Sequence, residues 1–341
     1  MSRAIILTDG KAGHENQSRA FARALGCDAE IVPVAFRSRT AKMLSYLLDR
    51  AGIRTLALFA ATKPGRPATV RPLHPEWLAK ETAPDVVIGT GSGTFYAAKA
   101  LAGKLGAKCG VVLTPSGYSL SSFDCILSPS FDNPPRLANI ITIPVNLVAN
   151  DEEFYAKGVE AFREHYKAAK AAAAGAAGTG APAAAAEPGD TPAVAVIVGG
   201  PNKCSTMTPE WMKGELERIF AETPGCEHWV TTSRRTPPEV EAVVDSFPFD
   251  YKLLYSRDRF NPIPAFVKLA QRLYVTAEST GMLSEACSFG SAEVHVLDNL
   301  KPGRHKFRRF VDGLRAEGYI GGGRKANLAG AFFEARDLLG L

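Results

Sequence analysis

The sequence predicts an α/β protein made of two doubly wound parallel sheets, one in each half of the chain. Short apolar runs alternate with helix-like segments, which is the pattern of parallel strands joined by helices. This alternation stops after residue 150 and restarts at residue 193. The length of 341 residues agrees with two domains, because a single hydrophobic core rarely keeps growing at that size.

The composition is that of a globular chain and argues against several functional classes. Hydrophobic residues make up 46% and charged residues 22%, so disorder is not expected. The net charge of +5 favours phosphate-bearing or anionic ligands but is too small to indicate a nucleic-acid-binding protein. The six cysteines include no C-x-x-C pair, so neither a zinc site nor a disulfide framework is expected.

The same features predict a cytoplasmic protein. The first strand is expected to begin at Arg3, which leaves no room for a signal peptide before it. No apolar run reaches the roughly 18 residues that a spanning helix needs. Residues 36–61 mix basic and apolar side chains, and two interpretations stay open. The pattern favours an amphipathic helix packed on the sheet; the alternative is a helix in peripheral contact with the inner face of a membrane.

Eleven apolar runs predict the strands of the two sheets. Turn residues, and in most cases a helix-like segment, follow each run. The runs of the first half cover residues 4–8, 30–34, 85–89, 109–113, 124–127 and 139–142. The runs of the second half cover residues 193–198, 228–232, 251–255, 272–276 and 293–297.

The break between the two halves predicts the domain organisation. We expect an N-terminal Rossmann-like domain over residues 1–150, a connecting segment over 151–192 and a C-terminal Rossmann-like domain over 193–341. The connecting segment begins with a helix-like stretch and continues into a run of Ala, Gly and Pro that is too simple to build a core. Gly175 argues against a long extension of that helix. The last helix, near 328–338, could pack on either domain.

Polar residues follow the first apolar run, at the point where a strand ends. Gly13 lets the backbone approach a ligand. The free N–H groups of a helix that starts here favour anions. The alternative is that Asn16 or Ser18 only caps this helix. The candidate ligand-facing residues of this loop are Gly13, His14, Glu15, Asn16 and Gln17.

A glycine-rich loop follows the third run. Gly91 and Ser92 lie in the sequence Gly-Thr-Gly-Ser-Gly-Thr of residues 89–94, which lacks the full dinucleotide-binding pattern. We expect these small residues to line a cleft on the same domain as the first loop.

Two loops of the second half have the composition of phosphate sites. Glycines next to a lysine suit a phosphate-bearing donor, although a tight turn with a solvated lysine is equally compatible. Paired arginines before a helix suit a diphosphate, although they could equally bond to neighbouring carboxylates. The residues concerned are Gly199, Gly200, Asn202 and Lys203 in the first of these loops, and Ser233, Arg234 and Arg235 in the second.

The loop and helix after residue 276 carry the most informative pattern. Ser279 and Thr280 open a helix, and a helix N-terminus with small hydroxyl residues binds phosphate well. Glu285 lies farther along the same helix, where a carboxylate can accept hydrogen bonds from ribose hydroxyls. A capping box explains Ser279 or Thr280 but not Glu278 and Glu285 together.

Taken together, these segments resemble the Elm-type family, which is named for its plant mitochondrial-fission member and is classed with glycosyltransferases in bacteria. The matching stretches are residues 13–17, 199–201, 233–237 and 276–286. Glu278 stands where we would expect aspartate. The resemblance implies a GT-B fold, in which two Rossmann-like domains face a cleft. It also implies that the first domain serves the acceptor and that the second binds a nucleotide-sugar donor.

The resemblance therefore implies a glycosyltransferase that uses a nucleotide-diphosphate sugar, and we expect it to need neither a metal ion nor a cofactor. No Asp-x-Asp metal motif follows any predicted strand. The acceptor stays open, with an anionic glycan or a lipid-linked molecule as candidates. Two other functions are compatible with the same fold: a non-catalytic adaptor, and a nucleotide-sugar epimerase.

The catalytic base is sought among the ionisable groups of the first loop. The matched motif runs through Glu15, which makes Glu15 the first candidate. His14 is the second, because histidine titrates near neutrality without help, whereas glutamate must be buried to become a useful base. Asp9 is expected only to stabilise the turn.

Overall fold

The computed structural model describes residues 2–59, 83–176 and 187–341. The chain divides into two compact units. The first unit comprises Met1–Ala149 and Asn327–Leu341, and the second comprises Asn150–Ala326.

Eleven strands form two sheets within the described residues, and every pairing is parallel. The first unit has the order β2-β1-β3-β4-β5-β6, and the second has β11-β10-β7-β8-β9. In the first unit the strands are β1 Ser2–Thr8, β2 Cys27–Pro33, β3 Val86–Thr90, β4 Lys108–Val112, β5 Cys125–Pro129 and β6 Ile140–Ile143. In the second they are β7 Ala193–Ile197, β8 Glu227–Thr231, β9 Tyr251–Leu253, β10 Arg272–Thr276 and β11 Glu293–Leu297.

Helices cover the faces of both sheets. In the first unit they are α1 Ala12–Ala24, α2 Arg39–Arg50, α3 Phe95–Leu105 and, at the end of the chain, α10 Ala329–Leu339. In the second they are α4 Glu152–Ala176, α5 Pro209–Glu222, α6 Pro238–Ser246, α7 Ile263–Leu269, α8 Thr280–Ser288 and α9 Lys306–Ala316. The predicted fold class, two successive doubly wound parallel sheets, is confirmed.

The strands read as continuous apolar runs because both of their faces are buried. In β1, Ile5 and Leu7 join the core on the side of α3, whereas Ala4 and Ile6 join the core on the side of α1. Successive side chains of a strand point to opposite faces, so a strand between two helical layers needs apolar residues at every position.

Helix α4 differs from the expectation for residues 151–170. It continues through Gly175 to Ala176 and belongs to the second unit rather than to a connection. The reason is its apolar face: Tyr155, Phe162 and Tyr166 are almost completely buried. The Phe162 ring lies 5.3 Å from the ring of Trp229 and thus anchors the helix on the sheet. The predicted tether that follows lies largely outside the described residues.

The C-terminal helix α10 returns to the first unit. Ala335 and Leu339 are buried in the same core cluster as residues of β1 and α1. The Arg336 guanidinium donates a hydrogen bond to the carbonyl of Leu25, at the end of α1. In the described ranges, no helix is both long and apolar enough to cross a membrane.

The order of the strands defines a switch point in each sheet. In the first unit the chain runs outward from β1 to β2 and then resumes at β3 on the other side of β1. In the second it runs outward from β7 through β8 to β9 and resumes at β10 on the other side of β7. Ligands of doubly wound sheets bind beyond the carboxyl ends of the strands at such a point.

Candidate functional site

A carboxylate–imidazole pair lies at the switch point of the first unit. Asp9 directly follows β1, and His14 lies in the first turn of α1. The His14 Nδ1 atom is 3.1 Å from both carboxylate oxygens of Asp9. The Asp9 side chain is 10% exposed and the His14 side chain is 23% exposed, so the pair is largely but not fully withdrawn from solvent.

The pair has the arrangement of a base and its orienting carboxylate. Burial would raise the pKa of Asp9, but the hydrogen bond from Lys11 and the charges of His14 and Lys11 outweigh it and lower that pKa. An ionised Asp9 places the ring proton of His14 on Nδ1. Nε2 then keeps its lone pair, and it makes no hydrogen bond to any described residue. An imidazole held in this way can accept a proton while the carboxylate stabilises the resulting cation.

The glycine-rich loop after β3 packs directly against this pair. A Cβ atom at Gly91, whose φ is +82°, would lie 2.6 Å from His14 Nδ1. A Cβ atom at Gly93 would lie 2.8 Å from Asp9 Cβ. The small residues predicted to line a cleft therefore make room for the Asp9 and His14 side chains.

The other candidates of the first loops have different partners. Glu15 forms an ion pair with Arg19 one helical turn later, at 2.8 Å. The Gln17 amide donates to the Gly13 carbonyl at 3.4 Å, and its Oε1 atom is buried with no partner among the described residues. Ser92 accepts a hydrogen bond from Lys42 Nζ at 2.9 Å. Asn16 is exposed.

The second unit brings three of the predicted loops together around Gly199. The Gly199 N–H donates to Thr276 Oγ1 at 2.9 Å, which joins the end of β7 to the end of β10. A Cβ atom at Gly199 would overlap the Glu278 carboxylate and the Ser279 hydroxyl. One at Gly200 would overlap the backbone of Arg235, in the loop after β8. The glycines thus allow these loops to pack against one another.

Glu278 is the centre of a buried polar cluster. It is only 3% exposed. Its Oε1 atom accepts hydrogen bonds from Thr276 Oγ1 at 2.9 Å and Ser279 Oγ at 3.1 Å. Its Oε2 atom accepts one from Asn299 Nδ2 at 2.7 Å. Asn299 itself is 4% exposed, and its Oδ1 atom has no partner in the described part of the chain.

The arginine loop after β8 is held by hydroxyl groups. Thr236 Oγ1 donates to the carbonyl of Gly199 at 2.6 Å and accepts from the Ser233 N–H at 2.8 Å. Arg234 and Arg235 are exposed and form no ion pair with any described residue, so both cations are free to meet an anion. The loop therefore keeps them beside the glycine turn.

The other two candidate residues of the glycine turn differ in role: Asn202 stabilises the turn, and Lys203 contributes an exposed charge. Asn202 Oδ1 accepts from the Cys204 N–H at 2.8 Å, so this side chain stabilises its own turn. Lys203 is exposed. Its side chain makes no ion pair within the ranges that the structure covers, and its charge is available to a ligand.

Helix α8 begins without a side-chain cap. The Ser279 hydroxyl donates to Glu278 instead of accepting from the first turn of the helix. Thr280 is half-buried and Gly281 is exposed, with open space beside its Cα atom. The uncapped N–H groups at this end are the kind that bind phosphate oxygens.

Glu285, on the same helix, is joined to the start of α4. Its Oε1 atom accepts hydrogen bonds from Tyr155 Oη at 2.9 Å and Asn150 Nδ2 at 3.1 Å. Burial raises the pKa of Glu285 above its usual value, and these two hydrogen bonds only partly offset that shift. Its other carboxylate oxygen makes no hydrogen bond to a described residue.

Three residues of the candidate sites were not predicted from the sequence. Asp9 was expected only to stabilise a turn, and Asn299 and Tyr155 were not considered. A polar residue two positions after an apolar strand was a usable signal for Asn299, because it marks the carboxyl end of β11. Tyr155 lies more than a hundred residues from Glu285, and no local pattern connects them.

The sequence profile of the family described as mitochondrial fission ELM1 matches residues 12–325, which is most of the chain. The chain belongs to this family. Of the residues of the two candidate sites, Asp9 lies just before the matched range and the others fall inside it. No curated protein matches the chain.

Solved structures resemble this ELM1-family chain at low identity. The S. aureus MnaA–UDP co-structure is 12% identical, with a TM-score of 0.47 over 99% of this chain and 95% of that one. Acinetobacter baumannii MurG is 12% identical, with a TM-score of 0.47 over 99% and 92%. A UDP-glucosyltransferase from Polygonum tinctorium is 10% identical, with a TM-score of 0.44 over 99% and 92%.

Proposed function

We propose that this ELM1-family protein transfers a sugar from a nucleotide-diphosphate donor to an acceptor hydroxyl without a metal ion. The observation that carries the proposal is the placement of a polar cluster at the switch point of each sheet. The first unit offers a base at Asp9–His14, and the second offers free cations and an uncapped helix N-terminus beside Gly199. Each set suits one half of a glycosyl transfer.

In the proposed reaction, His14 Nε2 removes the proton from the acceptor hydroxyl. The acceptor oxygen forms a bond to the anomeric carbon while the bond from that carbon to the diphosphate breaks. The leaving diphosphate takes the electron pair, and the proton stays on the imidazole until it passes to solvent. Asp9 stabilises the imidazolium that forms.

The geometry leads us to prefer His14 to Glu15 as the base. His14 is oriented by Asp9 and keeps one nitrogen free, whereas Glu15 is already paired with Arg19. Arg19 donates two hydrogen bonds to the Glu15 carboxylate, so this group already has a partner on its own helix.

The donor half of the proposal rests on the second unit. Arg234, Arg235 and Lys203 would compensate the charge of the diphosphate, together with the uncapped N–H groups at Thr280. The unpaired oxygen of Glu285 would accept a hydrogen bond from a ribose hydroxyl. Glu278 is proposed to shape the loop between β10 and α8. It would act on the donor indirectly, by positioning its neighbour Ser279.

These cations take the place that a divalent ion has in other sugar transferases. Within the described residues, no group of three or more His, Cys, Asp or Glu side chains is arranged to hold a metal. We therefore expect transfer to continue in EDTA. Activity abolished by EDTA and restored by magnesium or manganese would contradict this part of the proposal.

The decisive experiment is a thermal-shift screen with nucleotide sugars, followed by an assay for release of the nucleoside diphosphate. We expect a nucleotide sugar to raise the melting temperature and to be slowly hydrolysed when no acceptor is present. Binding with no turnover of any kind favours the adaptor instead. Conversion of the donor to its epimer without release of diphosphate favours the epimerase.

A further inference from the structure

One polar face of helix α2 in the first unit is held against helix α3 and the loop after β4. Asp49, near its end, accepts a hydrogen bond from the buried Lys99 ammonium at 2.6 Å and another from the Ser119 N–H at 2.7 Å. Ser45, one turn earlier, bonds to Tyr118 Oη at 2.8 Å. Since Asp49 and Ser45 are buried, the opposite side of the helix necessarily faces outward.

That outward side is apolar. Met43 is 66% exposed and Leu47 is 63% exposed, and a spacing of four residues places them one above the other. Leu44, beside them, is 43% exposed, and Ile53, just after the helix, is 50% exposed. Single exposed apolar residues are ordinary, but Met43, Leu44 and Leu47 lie on one side of the helix and form a patch that water does not favour.

The exposed charged residues of this segment are all positive. Arg39, Arg50 and Arg54 are exposed and have no ion-pair partner among the described residues. The only acidic residue between positions 37 and 54 is Asp49, and its carboxylate is buried against Lys99. No carboxylate of this segment therefore competes for the arginines.

We propose that the outer face of α2 docks on the surface of an anionic lipid bilayer. Met43, Leu44 and Leu47 would enter the boundary between headgroups and acyl chains, while the arginines contact lipid phosphates. The positive charge of the arginines favours an anionic bilayer over a second copy of the chain. A second copy of the chain docked by two-fold symmetry would bring the same arginines against one another, and the repulsion would oppose the dimer.

The same helix also contacts the loops of the candidate site. Lys42, on its first turns, donates to Ser92 in the loop that packs against Asp9 and His14. A bilayer bound at Met43 and Leu47 would therefore lie beside these loops. If the proposed function holds, on which this consequence rests, the acceptor is a molecule carried by the membrane.

The test is co-sedimentation of the full chain with vesicles, which requires no catalytic activity. The probe is a vesicle of phosphatidylcholine with about one third phosphatidylglycerol, compared with phosphatidylcholine alone. The first variant combines Met43→Ser with Leu47→Ser, and the second combines Arg50→Gln with Arg54→Gln. The control combines Arg136→Gln with Leu137→Ser, which removes one exposed arginine and one exposed leucine elsewhere on the first unit.

We expect the native chain and the control to bind the anionic vesicles, and added salt to weaken the binding. The apolar variant should bind at least about tenfold more weakly. Each arginine replaced should weaken binding roughly fivefold, which corresponds to about 1 kcal/mol per basic residue near an anionic surface. The arginine variant keeps the test valid if the apolar variant misfolds, because Arg50 and Arg54 are both exposed and form no ion pair with a described residue.

Three results would overturn the proposal. One is equal binding of the arginine variant and the control. Another is equal binding to neutral and anionic vesicles. The third is no vesicle binding by the native chain. Dissociation of a dimer by the apolar variant in sedimentation velocity would then indicate that a second copy covers this face. A lower melting temperature of that variant would indicate that the chain covers this face itself. Failure of sugar transfer leaves every one of these readouts unchanged, so the two proposals can be judged separately.

Discussion

Gly199 and Glu278 lie in contact across the switch point of the second sheet, at the ends of β7 and β10. The contact is so close that a methyl group on the Gly199 Cα atom would overlap the Glu278 carboxylate. The carboxylate in turn orders the loop that leads into α8. The geometry of the proposed donor side thus depends on the absence of a side chain at one residue.

Gly199→Ala should destabilise the second unit. The added methyl group must displace Glu278 or Ser279, and overpacking of this kind costs typically 1–3 kcal/mol, so we expect a loss of about 2 kcal/mol in the free energy of unfolding in urea. The control is Gly214→Ala in α5, where nothing lies within 4 Å of the new Cβ atom. It should stabilise the chain by roughly 0.5–1 kcal/mol, because alanine is the better helix former. Equal effects of the two substitutions would refute the close contact.

His14→Ala should lower turnover by about 100-fold or more while the affinity for the donor is retained, which is the usual scale for the loss of a general base. The matched variant is Glu15→Gln on the next residue, which should keep near-normal turnover because Glu15 is paired with Arg19. Turnover from initial rates and donor affinity from calorimetry give the two quantities. If Glu15→Gln is inactive and His14→Ala is not, the roles are reversed; if neither matters, this loop is not catalytic.

Glu285→Ala should weaken binding of the nucleotide by about 1–3 kcal/mol if the carboxylate holds the ribose through charge-assisted hydrogen bonds. Tyr155→Phe is the control, because it removes a hydrogen bond to Glu285 but leaves the carboxylate in place. Calorimetric titration of both variants separates contact with the ligand from support of the helix. Unchanged affinity in Glu285→Ala would reject the assignment.

Glu285 should also make the second unit less stable as the pH rises. Burial raises the pKa of this carboxyl in the folded state above its value in the unfolded chain. The folded state therefore binds the proton more tightly, and the stabilisation is complete below the unfolded pKa and is lost as the pH rises through the folded pKa. Urea unfolding between about pH 4 and pH 8 should show a smaller decline for Glu285→Gln, which cannot ionise. Parallel curves for the two proteins would contradict the raised pKa.

Much of this architecture could be predicted because it depends on local patterns. Each of the eleven apolar runs became a strand, since a strand buried on both faces needs apolar residues at successive positions. The candidate loops were also found from the sequence, because the carboxyl ends of parallel strands meet at one edge of a sheet. The composition of these loops predicted polar sites but not which side chains pair.

What the sequence by itself determined is the alternation of strands and helices, the two sheets, the positions of the loops and membership in the ELM1 family. Only the tertiary structure decided that Asp9 orients His14, that Gly199 lies against Glu278 and that the final helix α10 returns to the first unit. Periodicity is a property of neighbouring residues and can be read locally. The pairing of β7 with β10 brings together residues almost eighty positions apart, and only the packing of the whole sheet selects that contact.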